Sequence, residues 1–201
     1  MATFVLRVWL PDRPGALGAV ASRVGAVRGD VIGIDIIERG AGRAVDELVV
    51  DLPAEDLIDL LLTEIDQVEG VDVEDVRPLA GPPEDPAVLA LRVAVALHGA
   101  RGQERWDLLV TGARELLHAD WAVLVDPHDG AVLASDGDDP PAPGWLAAFV
   151  GGALAEGATP EVAELAVASL GEVGPVLVVS REHLPLRGRE REVLASLAHL
   201  G

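Results

Sequence analysis

Few residue types in this chain are able to do chemistry. The sequence contains no Cys, Lys, Tyr or Asn, which removes thiolate nucleophiles, disulfides, thiolate metal sites, Schiff bases and the lysine of a phosphate loop. Ser, His, Asp, Glu and Arg are left. Ser180 stands two residues before Glu182 and three before His183, the residue types of a hydrolytic nucleophile and its base. No Gly-x-Ser-x-Gly elbow surrounds that serine, so a hydrolase is the weakest of the readings. His98, His118, His128, His183 and His199 are scattered without the i, i+4 pairing of a metal site, and surface or helix-end roles are expected of them. Asp126, His128 and Asp129, like Asp136, Asp138 and Asp139, bring carboxylates together but lack the ligand spacing and terminal Glu of an EF-hand loop. Solvated turns are expected there. Gly40, Gly42, Gly151 and Gly152 make no phosphate-binding signature. No catalytic residue, metal ligand or cofactor is therefore expected.

Binding is better served than catalysis, by the run Asp12, Arg13, Pro14, Gly15, Ala16 and Leu17. Asp12 is a side-chain acceptor for free helix amides, Pro14 fixes φ at a helix start, and Gly15 lets the backbone approach a ligand closely. A helix amino terminus also favours a carboxylate, because its amides are unpaired and its dipole end is positive.

The elements that must hold this turn follow from periodicity. Phe4, Leu6, Val8 and Leu10 alternate with Val5, Arg7 and Trp9, the pattern of a strand with one mainly buried face. Leu17, Val20, Ala21, Val24 and Val27 then recur at helical spacing, with Gly29 placed to end the helix. A hairpin follows from Val31–Ile37 and Ala44–Leu52, joined by a turn over 39–43. Pro53, Glu55 and Asp56 open a second helix carrying Leu57, Ile58, Leu61, Leu62 and Ile65, Gly70 closes it, and Val71, Val73 and Val76 suggest a last strand. This order predicts a ferredoxin-like βαββαβ unit, two helices on one face of an antiparallel sheet.

The sequence LPDRPGALGAVASRVGAVRGDVIGIDI, set in that order of elements, resembles an ACT domain over about residues 3–78. The resemblance implies dimerisation and an amino-acid ligand at the dimer interface, held by the loop between first strand and first helix. Carried onto this chain, the ligand-binding residues are Asp12, Arg13, Pro14, Gly15, Ala16 and Leu17. Leu10 and Val31 stand where relatives use polar side chains.

The proline-rich stretch 79–86, with Pro78 just before it, reads as a linker between a first domain at 1–78 and a second at 87–201. In the second, Asp85 and Pro86 start a helix that Gly99 ends, and another runs from about Gln103 to His118. Trp121–Val125 and Ala131–Ser135 form a hairpin around the turn Asp126–Gly130. A helix spans Pro143–Ala155, a strand Val176–Ser180 and a final helix about Arg187–Leu200. Val162–Leu170 sits between helix and strand signals, and a strand is the expectation. ARELLHADWAVLVDPHDGAVLA and GEVGPVLVVSREHLPLRGREREVLASLA resemble the opening and closing segments of a GAF domain. That resemblance implies a reduced GAF-like α/β domain with an antiparallel sheet, and a ligand cavity, if kept, walled by Trp121, Trp145 and Phe149; core packing is the expectation for all three. The whole is an α+β chain.

Charge limits the partners. With 15 basic against 34 acidic residues, a formal net of −19, the chain repels phosphate backbones and anionic lipid. Neither nucleic acid nor a membrane is an expected partner. MATFVLRVWL carries no basic leader or cleavage site, so a cytoplasmic location is expected. Together these readings describe a non-catalytic sensor or regulatory protein, a homodimer with an amino-acid ligand and a protein partner. The alternative is a ligand-free structural or adaptor protein that works through dimerisation.

Overall fold

The computed structural model describes residues 1–156 and 164–201. The chain divides into two compact units, Met1–Pro83 and Glu84–Gly201.

The first unit contains β1 (Ala2–Pro11), α1 (Ala16–Ala26), β2 (Asp30–Gly40), β3 (Arg43–Leu52), α2 (Leu57–Asp66) and β4 (Asp72–Leu79). Its sheet has the order β2-β3-β1-β4, with every neighbouring pair antiparallel. Both helices cover one face. Leu6, Val8 and Leu10 of β1 meet Leu48, Val50 and Leu52 of β3, with Val20, Val24, Leu61 and Ile65 supplied by the helices. Each such fully buried side chain contributes about 1.5–3 kcal/mol of transfer free energy. This is the ferredoxin-like arrangement the periodicity predicts.

Two local expectations need correction. β1 is buried on both faces and not on one, for Val5 and Arg7 are as inaccessible as their neighbours. On the face away from the helices Arg7 is accommodated by its ion pair with Glu47 at 2.8 Å. The end of α1 also differs. Arg28 (φ 62) takes the left-handed position, its amide donating to Gly25 O at 3.0 Å while the Gly29 amide donates to Val24 O at 2.9 Å. This pair of bonds closes the helix. Gly29 is required for space instead: a Cβ there would lie 2.8 Å from Leu52 Cδ2 and 3.1 Å from Asp51 O.

The second unit runs α3 (Pro86–Gly99), α4 (Gln103–Leu117), β5 (Trp121–Val125), β6 (Val132–Gly137), α5 (Pro143–Glu156), β7 (Leu165–Ser169), β8 (Val176–Ser180) and α6 (Gly188–Leu200). Its sheet, β6-β5-β8-β7, is likewise antiparallel. On one face Ala122, Leu124, Leu177 and Val179 pack with residues of α3, α4 and α6. On the other, Trp121, Val123, Val125, Val176 and Val178 pack with Leu146 and Val150 of α5. The central strands β5 and β8 are therefore buried throughout, which is why both read as unbroken apolar runs. A helix leads into the hairpin β5–β6 and the last strand leads into the terminal helix, as the GAF-like expectation requires. The strand expected over 162–170 is β7 in its described part; 162 and 163, with the helix-start signal at 159–161, lie outside the described residues.

Trp121 is a core residue at 6% exposure, but Trp145 is 46% exposed, contrary to the expectation that it packs inside. It stacks on Phe149 at 5.1 Å between ring centroids. The cause lies in α5 itself, whose sequence is apolar all round, so that no polar side marks which face turns outward.

Candidate functional site

The loop between β1 and α1 is fixed by its own backbone. The Asp12 amide donates to Gly42 O at 2.9 Å, tying the loop to the β2–β3 turn, and the Arg13 amide donates to Pro11 O at 2.8 Å. Gly15 is the residue before α1 and has φ 90, a conformation that costs any residue with a Cβ about 1–2 kcal/mol. No atom lies within 4 Å of where that Cβ would be, so the glycine is needed for its backbone conformation and not for space.

Asp12 does not perform the capping task its type suggests, because α1 has no side-chain cap. The Ala16 amide donates to Arg13 O at 3.3 Å and the Ala19 amide begins the helical ladder on Gly15 O at 3.0 Å. Leu17 and Gly18 keep amides with no acceptor among the described residues. An open helix start thus offers two donors and the positive end of a dipole. Beside it lies a recess of about 270 Å³, lined by Arg13, Pro14, Gly15 and Ala16 together with Ala19, Val68, Glu69 and Val71. Arg13 is exposed and has no ion pair among the described residues. Of the six residues predicted for the site, four line this recess. Asp12 is exposed outside it, and Leu17 packs partly against the core.

Two carboxylates of β3 escaped the sequence reading. Asp46 pairs in register with Val8 and Ile36 and retains 4% exposure. Its Oδ1 is fully buried and accepts no hydrogen bond. Burial pushes its carboxyl above the ordinary range, and the nearby charges of Asp12 and Asp35 add to this against the pull of Arg39. Glu47, on the other side of the sheet, is bound by Arg7 at 2.8 Å and Arg77 at 3.1 Å. Burial alone would raise its carboxyl, but the two guanidiniums outweigh it and hold the group below the usual value.

The second unit has a larger recess of about 790 Å³ between α3 and α4, bordered by Arg92, Thr111, Arg114 and His118. Arg92 is paired with Glu84 and Arg114 with Asp136. Gly112 lets α3 approach closely, since a Cβ there would stand 2.5 Å from Val93 Cγ1. Trp121, Trp145 and Phe149 do not border this recess.

The other candidates separate. Ser180 is buried at 6% exposure, while the His183 side chain is 93% exposed and faces Glu182 at 3.9 Å. The neighbouring Arg181 explains this segment structurally: it donates to Leu117 O, Leu184 O and Pro185 O and pairs with Glu190 at 2.8 Å. All five histidines are exposed. Asp126 and Asp129 accept the amides of His128 and Ala131 at 2.9 Å within their turn. Among the described residues no three His, Cys, Asp or Glu side chains are grouped to hold a metal, and no helix is long and apolar enough to cross a membrane.

The first unit is thus a ferredoxin-like sheet with an open helix start after its first strand. Residues 4–70 match the family model of the ACT domain. The ACT domain of GTP pyrophosphokinase from Chlorobium tepidum is 16% identical, covering 39% of this chain and 100% of that one at a TM-score of 0.32. An uncharacterized protein from Thermotoga maritima is 23% identical over 39% of this chain and 96% of its own, with a TM-score of 0.31. The chromophore-binding domain of a Stigmatella aurantiaca bacteriophytochrome is 14% identical, covering 83% of this chain and 67% of that one at a TM-score of 0.41. No curated protein matches the chain.

Proposed function

We propose that this chain is a non-catalytic regulatory protein whose ACT domain binds an amino acid or a similar small molecule between two copies of itself. The reading divides the chain into the ACT domain at 1–78, a linker at 79–86 and the GAF-like domain at 87–201, the last transmitting the ligand's effect to a protein partner in the cytoplasm.

The observation that carries it is the open start of α1. Leu17 and Gly18 present amides without an acceptor among the described residues, and the same loop carries Arg13, a cation without an ion pair among them, into the lining of a recess of small-molecule size. These are the groups a carboxylate requires. Asp12, Pro14, Gly15, Ala16 and Leu17 complete the loop. Pairing is supported by β2, an edge strand on which Ile32, Ile34 and Ile36 are 41%, 52% and 36% exposed. Bare apolar edges seek a partner.

A thermal-shift screen of the amino acids on wild type and Gly15→Leu tests this, with light scattering for oligomeric state. A ligand that raises the melting temperature of wild type but not of the variant supports loop binding, because leucine cannot hold φ 90 without distorting the helix start. No response to any amino acid from a stable dimer would leave the adaptor reading. A monomer, or equal shifts in both proteins, would remove the site from this loop.

A further inference from the structure

Helix α3 is packed on one side only. Val93 and Leu97 belong to the core shared with α4 and α6, while Val88, Leu91 and Val95 on the other side are 50%, 67% and 74% exposed. Steps of three and four residues join them, and the same steps reach Glu84 before and His98 after. This is the seam of a helix that packs against another helix. On the other described helices exposed large apolar side chains stand singly, Leu60 on α2, Trp145 on α5 and Leu200 on α6. Charge sets the surface apart as well. A helix face turned to water normally carries charged residues, but no carboxylate occurs from 86 to 103 in a chain that has 34 of them.

Beside the seam lies the recess of about 790 Å³, whose apolar lining includes Leu89 and Ala96 of α3 and Leu108 of α4. With about 3.6 residues per turn, Arg92 and Ala96 follow Leu91 and Val95 around the helix, so seam and recess are adjoining faces of α3. One polar group of the lining is also left over. Ser22, Thr63 and Ser196, the other hydroxyl side chains of the described helices, each donate to the carbonyl one turn back, whereas Thr111 on the recess makes no hydrogen bond among the described residues.

These features select the occupant. The spacing calls for a helix, and on α3 a projecting row and a hollow stand side by side. A two-fold operation then lays each copy's seam along the other's recess, the self-complementary contact of a symmetric dimer. Two chains of net charge −19 repel one another over most of their surface, and α3 offers an approach free of carboxylates from 86 to 103. A single row of three side chains is too narrow for the roughly 800 Å² that a stable interface buries on each partner. The recess widens the contact by bringing in α4.

We propose that a second copy of this chain docks on α3, with Val88, Leu91 and Val95 of each copy seated along the α3–α4 recess of the other. The contact is separate from the β2 edge and needs no ligand at the first loop, so it stands or falls apart from the reading above.

The test is sedimentation of the full chain over a concentration series, with circular dichroism to monitor folding. Ile34→Glu disables the β2 edge, Val95→Glu places a charge in the α3 seam, and Leu60→Glu makes the same kind of change at a lone exposed position. Ile34→Glu is expected to remain a dimer. Adding Val95→Glu should weaken its association at least roughly tenfold, since the new carboxylate is buried without a partner, while adding Leu60→Glu should leave it unchanged. Because the chain contains no cysteine, Leu91→Cys in the Ile34→Glu background gives an independent readout: a short bis-maleimide should link two copies there and not at Leu60→Cys. A monomeric Ile34→Glu from a dimeric wild type would overturn the α3 contact and uphold pairing through β2. A dimer that survives Ile34→Glu and Val95→Glu together would overturn it too, and a monomeric wild type would overturn both.

Discussion

Asp46 and Glu47 are consecutive residues of one strand, and the sheet gives them opposite environments. Glu47 turns to the face where Arg7 and Arg77 wait at 2.8 and 3.1 Å, and its carboxyl is held below the ordinary value. Asp46 turns to the helix-covered face, where nothing donates to it, and its carboxyl is pushed up. Both are largely withdrawn from water. Burial raises each carboxyl on its own account, so the difference in sign comes from partners alone. One face of the sheet has completed its electrostatics within the chain. The other encloses a carboxylate to which nothing in the chain donates.

The comparison breaks first if Glu47 proves dispensable. Arg7 is 1% exposed, and truncating Glu47 to alanine removes the carboxylate that it shares with Arg77, a loss of about 3 kcal/mol for a buried pair. Urea denaturation of Glu47→Ala at neutral pH should show a loss of this size; a loss of a few tenths would mean that Glu47 is not what holds Arg7 in the sheet. Asp46→Asn should move the other way, gaining about 1 kcal/mol without ligand, since a buried amide is cheaper than a buried unpaired charge. The pH dependence sharpens the contrast. A depressed folded-state pKa gives Glu47 a contribution present above its unfolded value of 4.5 and lost as pH falls through the folded one. A raised folded-state pKa gives Asp46 a contribution present below 3.8 and lost as pH rises. The advantage of Asp46→Asn over wild type should therefore shrink on acidification towards pH 3.8, and so should the deficit of Glu47→Gln on passing below 4.5. Parallel, flat differences from pH 3 to 7 would dissolve the distinction between the faces.

Little of this contrast is legible in AVDELVVDL, where the two acids stand side by side. Period-two alternation says that they point apart, but not which side the helices cover or what stands opposite. Arg7 offered a signal, a charge inside the apolar run FVLRVWL, yet its partner is 40 residues away, and only the β1–β3 register brings the pair together. The loop is different. Asp12 to Leu17 act through neighbours in sequence, so Pro14, Gly15 and the apolar spacing of α1 locate the turn, although not the failure of Asp12 to cap it. Likewise the end of α1 was visible to within a residue, but the choice between Arg28 and Gly29 depended on Leu52 and Asp51 of a distant strand. What local dihedrals and periodicity decide can be read in one dimension; what cross-strand contact decides cannot.

The smallest effect is expected from an ion pair on the same side as Glu47 but near water. Arg43 binds Asp72 at 2.5 Å, with the two side chains 42% and 68% exposed, and its guanidinium lies 5.0 Å from the Trp9 ring centroid. The Trp9 indole donates to Glu74 at 3.2 Å, so the ring keeps an anchor when the arginine is removed. Exposed pairs gain little, because solvent screens them and two long side chains must be ordered, and a cation over a ring adds roughly 0.5–1 kcal/mol at such sites. Arg43→Gln should thus cost about 0.5 kcal/mol, and the cost should fall in 1 M salt, where the Debye length is about 3 Å. The Glu47→Ala loss should persist in the same salt, since Arg7 and Glu47 are 1% and 15% exposed. If both losses fall together, the network around Glu47 is as wet as the one around Arg43, and enclosure is not what separates the two faces of the sheet.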